Sequence, residues 1–443
     1  MNFPEAMEFL TKLTKFGMNF GLGRIERLLE LLGNPHHELA CVHIGGTNGK
    51  GSVAAIMASV LKESGFRTAL FTSPHLHSYT ERFLIDGVPI SETELAGLLT
   101  ELRPYLETMV REGDEHPTEF EVLTASAFLY FYRQQVDYAV IEVGLGGAID
   151  STNVVDPKVA VITNVAMDHM DYLGSTVEEI AQVKAGIIKA GRPVVTASSD
   201  ARVLPILQAK ARAVGARLYR VQDCARWHIK GWWKRAQTVD VEVDGQTYPN
   251  LELPLLGEHQ ALNLATALVA LKLLPAEIPP EAIYRGVREV HWPARLELIP
   301  APQGYSFLID AAHNVSGAQS LRSALSRYFP HKRLILVIGM LADKEREKVL
   351  EVLAPLADVV IVTKPNSYRA GDWTSLAEMA KAKACSGTPV YTIADVAQAV
   401  DQAVAVAGPG DLVVITGSFY MVADARAHVL KQKFDLDALS AGF

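Results

Sequence analysis

Cysteine is scarce. Cys41, Cys224 and Cys385 are the three in 443 residues, and they stand far apart with no CxxC pair. Disulfide frameworks and thiolate zinc sites both rest on closely spaced cysteines, so neither is expected. Long apolar runs are lacking too. The most apolar stretches, such as 333–340, fall well short of the roughly 20 residues that cross a bilayer. The N-terminus, Met-Asn-Phe-Pro-Glu-Ala-Met-Glu, is acidic and has no long apolar run, unlike a secretory signal. Basic charge is not in excess. With 42 Lys and Arg against 50 Asp and Glu, the formal net charge is -8, which tells against nucleic acid as the main partner. That balance still permits a local basic pocket for a small anion. No repeat with a period of about 20–50 residues is visible. These absences leave a soluble cytoplasmic protein with neither a membrane nor a nucleic-acid partner.

What is present is core material: 49% hydrophobic residues against 21% charged, enough for large cores. At roughly 100–200 residues per domain, a chain of this length implies two domains, or three. Apolar runs at 40–44, 68–72, 138–143, 159–163 and 194–196 read as strands, and amphipathic patterns at 51–64, 92–111, 121–133, 177–189 and 201–214 read as helices. Continuous apolar runs suit parallel strands buried on both faces. The stretch 218–256 differs. It carries Trp227, Trp232, Trp233, the alternation Val239-Val241-Val243 and an Asp244-Gly245 turn, so it is read as an antiparallel subdomain. Helices follow near 259–273 and 281–290. The Trp292-Pro293 step and the Pro-rich 300–304 are read as a boundary. Beyond it, strands at 306–310, 334–338, 359–363, 390–391 and 412–416 alternate with helices. The expected fold is therefore α/β. A P-loop-type ATPase domain at 1–297, with a mostly parallel sheet and a small antiparallel subdomain, precedes a smaller Rossmann-like α/β domain at 298–443.

Gly-Thr-Asn-Gly-Lys-Gly-Ser at 46–52 sits between a strand and a helix, where backbone N–H groups and the positive helix end can hold phosphates. Lys50 can reach the terminal phosphates. The generic GxxxxGK[ST] motif is missed twice: Ile44 replaces its first glycine, and Gly51 follows Lys50 where Ser or Thr belongs. The plain alternative is a glycine-rich turn that tightens a strand–helix connection. Glu142 ends a buried apolar strand, where open α/β sheets place ligands. A carboxylate there suits Mg²⁺, which favours one or two carboxylates with phosphate oxygens and water; the alternative is a turn cap or a local ion pair. His169 lies between Asp168 and Asp171, two acids able to raise its basicity. Lys184, inside an expected helix, reads on pattern alone as a solvated surface lysine.

The loop, with six further islands, resembles the folylpolyglutamate synthase and dihydrofolate synthase family of the Mur ligase superfamily. The islands are Thr72-Ser73-Pro74-His75-Leu76, Glu142-Val143-Gly144-Leu145-Gly146-Gly147, Asp168-His169, Lys184-Ala185-Gly186-Ile187, Pro293-Ala294-Arg295-Leu296-Glu297 and Asp310-Ala311-Ala312-His313-Asn314. The resemblance implies an ATP-dependent ligase that binds ATP through Thr47, Asn48, Gly49, Lys50, Gly51, Ser52, Asn263, Arg295, Asp310 and His313. It implies that Ser73, Glu142 and His169 hold Mg²⁺, and that Lys184 is carbamylated and becomes a ligand for a second metal. Lys50, Lys184, His169 and Arg295 are then the catalytic set. The implied reaction phosphorylates a carboxylate with ATP, and the amine of L-glutamate attacks the acyl phosphate. The accepting carboxylate is that of a folate, and of dihydropteroate in members able to make dihydrofolate. Residues matching the dihydropteroate-contacting segments are Phe20, Gly21, Leu22 and Gly23, then Thr118, Glu119, Phe120 and Glu121, then Ile149, Asp150 and Ser151. Glu119 stands where relatives often carry an aromatic residue. The family also implies a monomer. Competing readings are a cell-wall amino-acid ligase, a P-loop switch and a nucleotide sensor. Against the first, only about one helix and a turn precede residue 40, too little for the extra N-terminal domain those ligases carry.

Overall fold

The computed structural model describes residues 1–14, 17, 19–233 and 236–440, the side chains of 432–440 excepted. The first sheet has eight strands. They are β1 (Cys41–Gly45), β2 (Thr68–Phe71), β3 (Phe83–Ile85), β4 (Val88–Pro89), β5 (Tyr138–Glu142), β6 (Val159–Ile162), β7 (Val194–Thr196) and β8 (Leu218–Arg220), in the order β4-β3-β2-β5-β1-β6-β7-β8. The six from β2 to β8 run parallel; β3 and β4 hang antiparallel at one edge. Every residue of β1, β5 and β6 is buried, because helices cover both faces. Val42, Ile44, Val140 and Val161 pack on one side with the helices Lys50–Glu63, Glu258–Lys272 and Pro280–Arg288. Cys41, Ala69, Phe71 and Ile141 pack on the other with the helices Phe3–Leu13, Gly23–Leu31, Glu92–Glu112 and Glu119–Arg133.

Two of these helices meet at backbone distance. A Cβ on Gly286 would sit 2.5 Å from Val60 Cα. Gly286→Ala is therefore expected to destabilise the protein by about 1–3 kcal/mol through overpacking. Urea unfolding checks this, and an unchanged midpoint would show that the helices part freely.

The segment expected at 218–256 to be wholly antiparallel divides in two. Its first residues form β8, which extends the parallel sheet. The remainder forms a three-stranded antiparallel sheet of β9 (Ala225–Trp233), β10 (Ala236–Val243) and β11 (Gln246–Leu253), in the order β11-β10-β9. Val239, Val241 and Val243 all face the helix Glu258–Lys272, as their alternation requires.

The third sheet comprises β12 (Glu297–Pro300), β13 (Ser306–Ile309), β14 (Leu334–Ile338), β15 (Val359–Thr363), β16 (Val390–Ile393) and β17 (Leu412–Thr416), in the order β12-β13-β17-β14-β15-β16. All its pairings are parallel except β12 with β13. The Pro-rich 300–304 is thus a hairpin turn inside this sheet, closed by Ala301 N–H to Tyr305 O and Gly304 N–H to Ala301 O, rather than a boundary. Pro300 is tolerated because β12 is an edge strand. Ahead of β1 stand two helices, Phe3–Leu13 and Gly23–Leu31, where the sequence suggested one helix and a turn. Among the described residues no helix is long and apolar enough to cross a membrane.

Candidate active site

A cleft of about 490 Å³ opens where the carboxyl ends of β1, β5 and β6 face the loops after β13, β14 and β17. The loop after β1 forms its floor. Gly46 (φ +134°) lies so near the next strand that a Cβ would sit 2.0 Å from Thr163 Oγ1. Gly49 (φ +86°) precedes the helix Lys50–Glu63, and a Cβ there would meet Asn263 Oδ1 at 2.6 Å. Both positions need glycine. The segment after β6 braces the loop: Thr163 Oγ1 donates to Asn48 O at 2.7 Å, and Asn48 N–H to Asn164 Oδ1 at 2.8 Å. Thr47 N–H donates to Asn164 O at 2.8 Å. Lys50 Nζ reaches back to Gly46 O and Thr47 O at 3.3 and 3.2 Å. The departure at Gly51 has a steric cause. A Cβ there would stand 2.7 Å from the Trp292 ring, which takes the space a larger residue needs.

Glu142 is buried at the end of β5. Its Oε2 accepts Ser73 N–H at 3.1 Å, and burial pushes its pKa up despite the nearby Lys50 and Arg295. Among the described residues no group of three or more His, Cys, Asp and Glu gathers to hold a metal. The donor set of Glu142 and Ser73 nevertheless fits Mg²⁺, which takes few protein ligands and completes its shell with phosphate and water. His169 lines the same cleft. In left-handed backbone (φ +51°), it has Nε2 3.3 Å from Lys344 Nζ and 3.9 Å from Asp168 Oδ1. Its Nδ1 is buried with no partner among the described residues. Burial, then Lys344, push its pKa down to about 3, so the ring is neutral and Nε2 can accept from the Lys344 ammonium.

Lys184 overturns the surface reading. It is 4% exposed at the end of the helix Val177–Lys184, and its Nζ donates to Gly46 O at 2.9 Å. Burial, then Lys50, lower its pKa to about 7. Helical periodicity cannot reveal this, because the amine is taken up by Gly46 O of the phosphate loop, 138 residues away in the chain.

Across the cleft, Arg295 lays its guanidinium over Phe419 at 5.0 Å and donates to Ala294 O at 3.0 Å. Its near neighbour Glu297 pairs with Arg426. Asp310 accepts Leu296 N–H at 2.9 Å and Ala312 N–H at 3.0 Å, so its carboxylate braces backbone. His313 Nε2 lies 3.4 Å from Asp168 Oδ2. The Asn314 amide group donates to Asn48 Oδ1 at 3.0 Å and to Asp168 Oδ2 at 3.1 Å, which joins the two halves of the cleft. Lys344 completes this knot, 2.5 Å from Asp168 Oδ1 and nearly buried. Sequence reading missed Lys344. It follows the carboxyl end of β14, and the strand-end rule applied there would have found it.

All of Thr47, Asn48, Gly49, Lys50, Gly51, Ser52, Ser73, Glu142, His169, Lys184, Asn263, Arg295, Asp310 and His313 line this one cleft. Phe20, Thr118, Phe120, Ile149, Asp150 and Ser151 also line it, and Phe20 meets Tyr172 edge to face at 5.7 Å. Five residues expected with them stand elsewhere. Gly21 and Leu22 precede the helix that starts at Gly23. Glu121 caps its own helix through Thr118 N–H at 2.7 Å and holds Arg24 at 3.1 Å. Glu119 accepts the Tyr79 hydroxyl at 2.7 Å.

Residues 44–271 match the Mur ligase middle domain, and 294–419 match the Mur ligase glutamate ligase domain. A Bacillus subtilis dihydrofolate synthase/folylpolyglutamate synthase is 34% identical, over 96% of this chain and 98% of that one. A Lacticaseibacillus casei folylpolyglutamate synthase is 35% identical, over 98% of this chain and 100% of its own. The solved folylpolyglutamate synthase of Mycobacterium tuberculosis complexed with ADP superposes with a TM-score of 0.89 at 34% identity, over 96% of this chain and 98% of that one. The Escherichia coli structure in complex with DHPP and ADP gives 0.85 at 29%, over 97% and 98%. With a phosphate loop whose Gly51 is explained by packing, and with both domain matches across the same cleft, the chain belongs to the folylpolyglutamate synthase and dihydrofolate synthase family of Mur ligases.

Proposed function

We propose that this enzyme uses ATP to join L-glutamate to the carboxylate of a folate, and that it also converts dihydropteroate to dihydrofolate. The observation that carries the reading is the single cleft. Its lining joins the phosphate loop, Lys50 and Arg295 to an aromatic and aliphatic wall of Phe20, Phe120 and Ile149. An aromatic recess suits a flat pterin ring. The relatives crystallised with ADP, and with DHPP and ADP, support the same assignment.

A carboxylate is a poor electrophile until phosphorylated. Oxygen of the folate carboxylate attacks the γ-phosphorus, the bond to the ADP oxygen breaks, and an acyl phosphate forms. The amine of glutamate then attacks the acyl carbon, loses a proton, and inorganic phosphate leaves. Lys50 and Arg295 bring positive charge to the phosphates, and the two facing halves exclude water. Ser73, Glu142 and His169 would hold Mg²⁺, with Lys184 as a carbamate for a second ion. Such ions screen the repulsion between phosphates and carboxylates. The division at 297/298 is moved slightly by this reading. Glu297 pairs in register with Ile309 in the third sheet, so the join falls between the helix Pro280–Arg288 and β12. The enzyme is read as a cytoplasmic monomer, in keeping with three unpaired cysteines.

Glu119 favours a second reading, folylpolyglutamate synthesis alone, since its side chain is engaged by Tyr79 and not by the recess. A phosphate-release assay with ATP, Mg²⁺ and glutamate separates the two. Release is expected with tetrahydrofolate and with dihydropteroate, and none without an acceptor. Release with tetrahydrofolate alone would remove the dihydropteroate activity, and silence with both would remove the ligase reading.

A further inference from the structure

Arg295 stands on backbone that does not hold itself. Ala294 (φ +56°) and Leu296 (φ +47°), on either side, both lie in the left-handed region without being glycine. Such a turn persists where its surroundings pin it. Ala311 N–H donates to Ala294 O at 3.0 Å, and Leu296 N–H donates to Asp310. The remaining pin is Ala294 N–H to Glu297 Oε2 at 3.0 Å. That carboxylate is gripped from its far side by Arg426, whose Nε donates to Oε2 at 2.8 Å and whose Nη2 donates to Oε1 at 2.9 Å. The pair is bidentate, and both side chains are mostly buried, at 13% and 21% exposure. Burial pushes the Glu297 carboxyl up, but Arg426 and the Ala294 amide outweigh it and the carboxyl ends low, which keeps it ionised.

Arg426 and Phe419 belong to one helix, Phe419–Ser440, about two turns apart on the same face. That face supports Arg295 twice. Phe419 lies under the guanidinium, and Arg426, through Glu297, holds the backbone. The support also reaches the other half of the cleft. His77 Nε2 lies 3.3 Å from Arg426 Nη1, on the loop that leaves Ser73. Glu81 stiffens that loop by accepting the N–H groups of Leu76, His77 and Ser78 at 2.8, 2.8 and 3.0 Å. Leu76 packs into the core of the third sheet.

We propose that Arg426, acting through Glu297, is a positioning residue that holds Arg295 against the nucleotide phosphates and sets its place relative to Ser73. This rests on the reading of Arg295 as a phosphate clamp. The test is a cycle of Arg426→Ala, Arg295→Ala and the double variant in the full chain, with steady-state kinetics and ADP titration calorimetry. Arg426→Ala is expected to lower kcat/KM for ATP on the order of 100-fold, the cost of misplacing a catalytic group by about 1 Å. KM for the folate stays within about threefold, because that recess is untouched. Arg426→Lys recovers part of the loss, since it keeps the charge but not the two-pronged grip. On an Arg295→Ala background, Arg426→Ala adds little further loss. Losses that multiply instead would overturn the proposal, because Arg426 would then act independently of Arg295. A wild-type rate for Arg295→Ala would remove the clamp itself, whatever Arg426 does. Should Arg426→Ala fail to fold, Glu297→Gln keeps the volume and one acceptor and takes its place in the cycle.

Discussion

Lys50→Ala is expected to stop ATP-dependent phosphate release, with kcat down on the order of 10³-fold or more, while the melting temperature stays near that of the wild type. The size follows from the chemistry. Removing one donor aimed at charge that develops in a transition state costs about 10²–10³. A dedicated cation on a transferring phosphoryl group can be worth about 10³–10⁵. The intact fold follows from what shapes the loop. Gly46 and Gly49 set its backbone, and Thr163 and Asn164 brace it. Among the described residues the hydrogen bonds of Lys50 go to loop carbonyls, at 3.3 and 3.2 Å, which phosphate oxygens would replace as partners of the ammonium. Alanine also suits the first position of the helix Lys50–Glu63. Lys50→Arg should not restore turnover, because the longer planar guanidinium cannot occupy the place of a compact ammonium. Phosphate release by Lys50→Ala within about threefold of wild type would remove the loop from the mechanism.

Strands were legible where burial is complete on both faces. β14, β15 and β17 match the sequence reading residue for residue, since each is apolar throughout or up to a closing threonine. The edges were not legible. β12 ends in Pro300 and β3 is three residues long, so neither carries a pattern that distinguishes strand from turn. β8 was absorbed into the antiparallel reading because its three residues are all half-buried. In the cleft, the residues at strand ends could be found from position alone: Ser73 after β2, Glu142 on β5, Asp310 after β13. Pairings between halves could not. Lys344 and Asp168 meet across 176 residues, and Asn314 reaches Asn48 across 266. Nothing local records such contacts. Lys184 failed for a related reason, since its amine meets Gly46 O, 138 residues away in the chain.

Lys184→Ala is expected to lower turnover on the order of 100-fold or more, and a short carboxylic acid such as acetate should restore part of it. Carbamylation requires the neutral amine: nitrogen attacks carbon dioxide, an N–C bond forms and a proton leaves. An ordinary lysine, with a pKa of about 10.4, is about 0.04% neutral at pH 7. With its pKa lowered to about 7 by burial, Lys184 is about half neutral at that pH. Modification should therefore fail as pH falls well below 7 and proceed above it. The same shift fixes the sign of a stability effect. Between about 7 and about 10.4 the folded, unmodified chain binds fewer protons at this site than the unfolded chain, so stability rises with pH across that window. Lys184→Ala should lose this component of the slope in pH-dependent urea unfolding done without carbon dioxide. Labelled bicarbonate gives a readout apart from activity: a ¹³C carbamate resonance in the wild type at pH 8, absent from Lys184→Ala. If Lys184→Ala keeps full activity, the amine is a structural prop for Gly46 O. If activity is lost but acetate restores none and the wild type shows no ¹³C signal, the free ammonium is the working species and the carbamate is wrong.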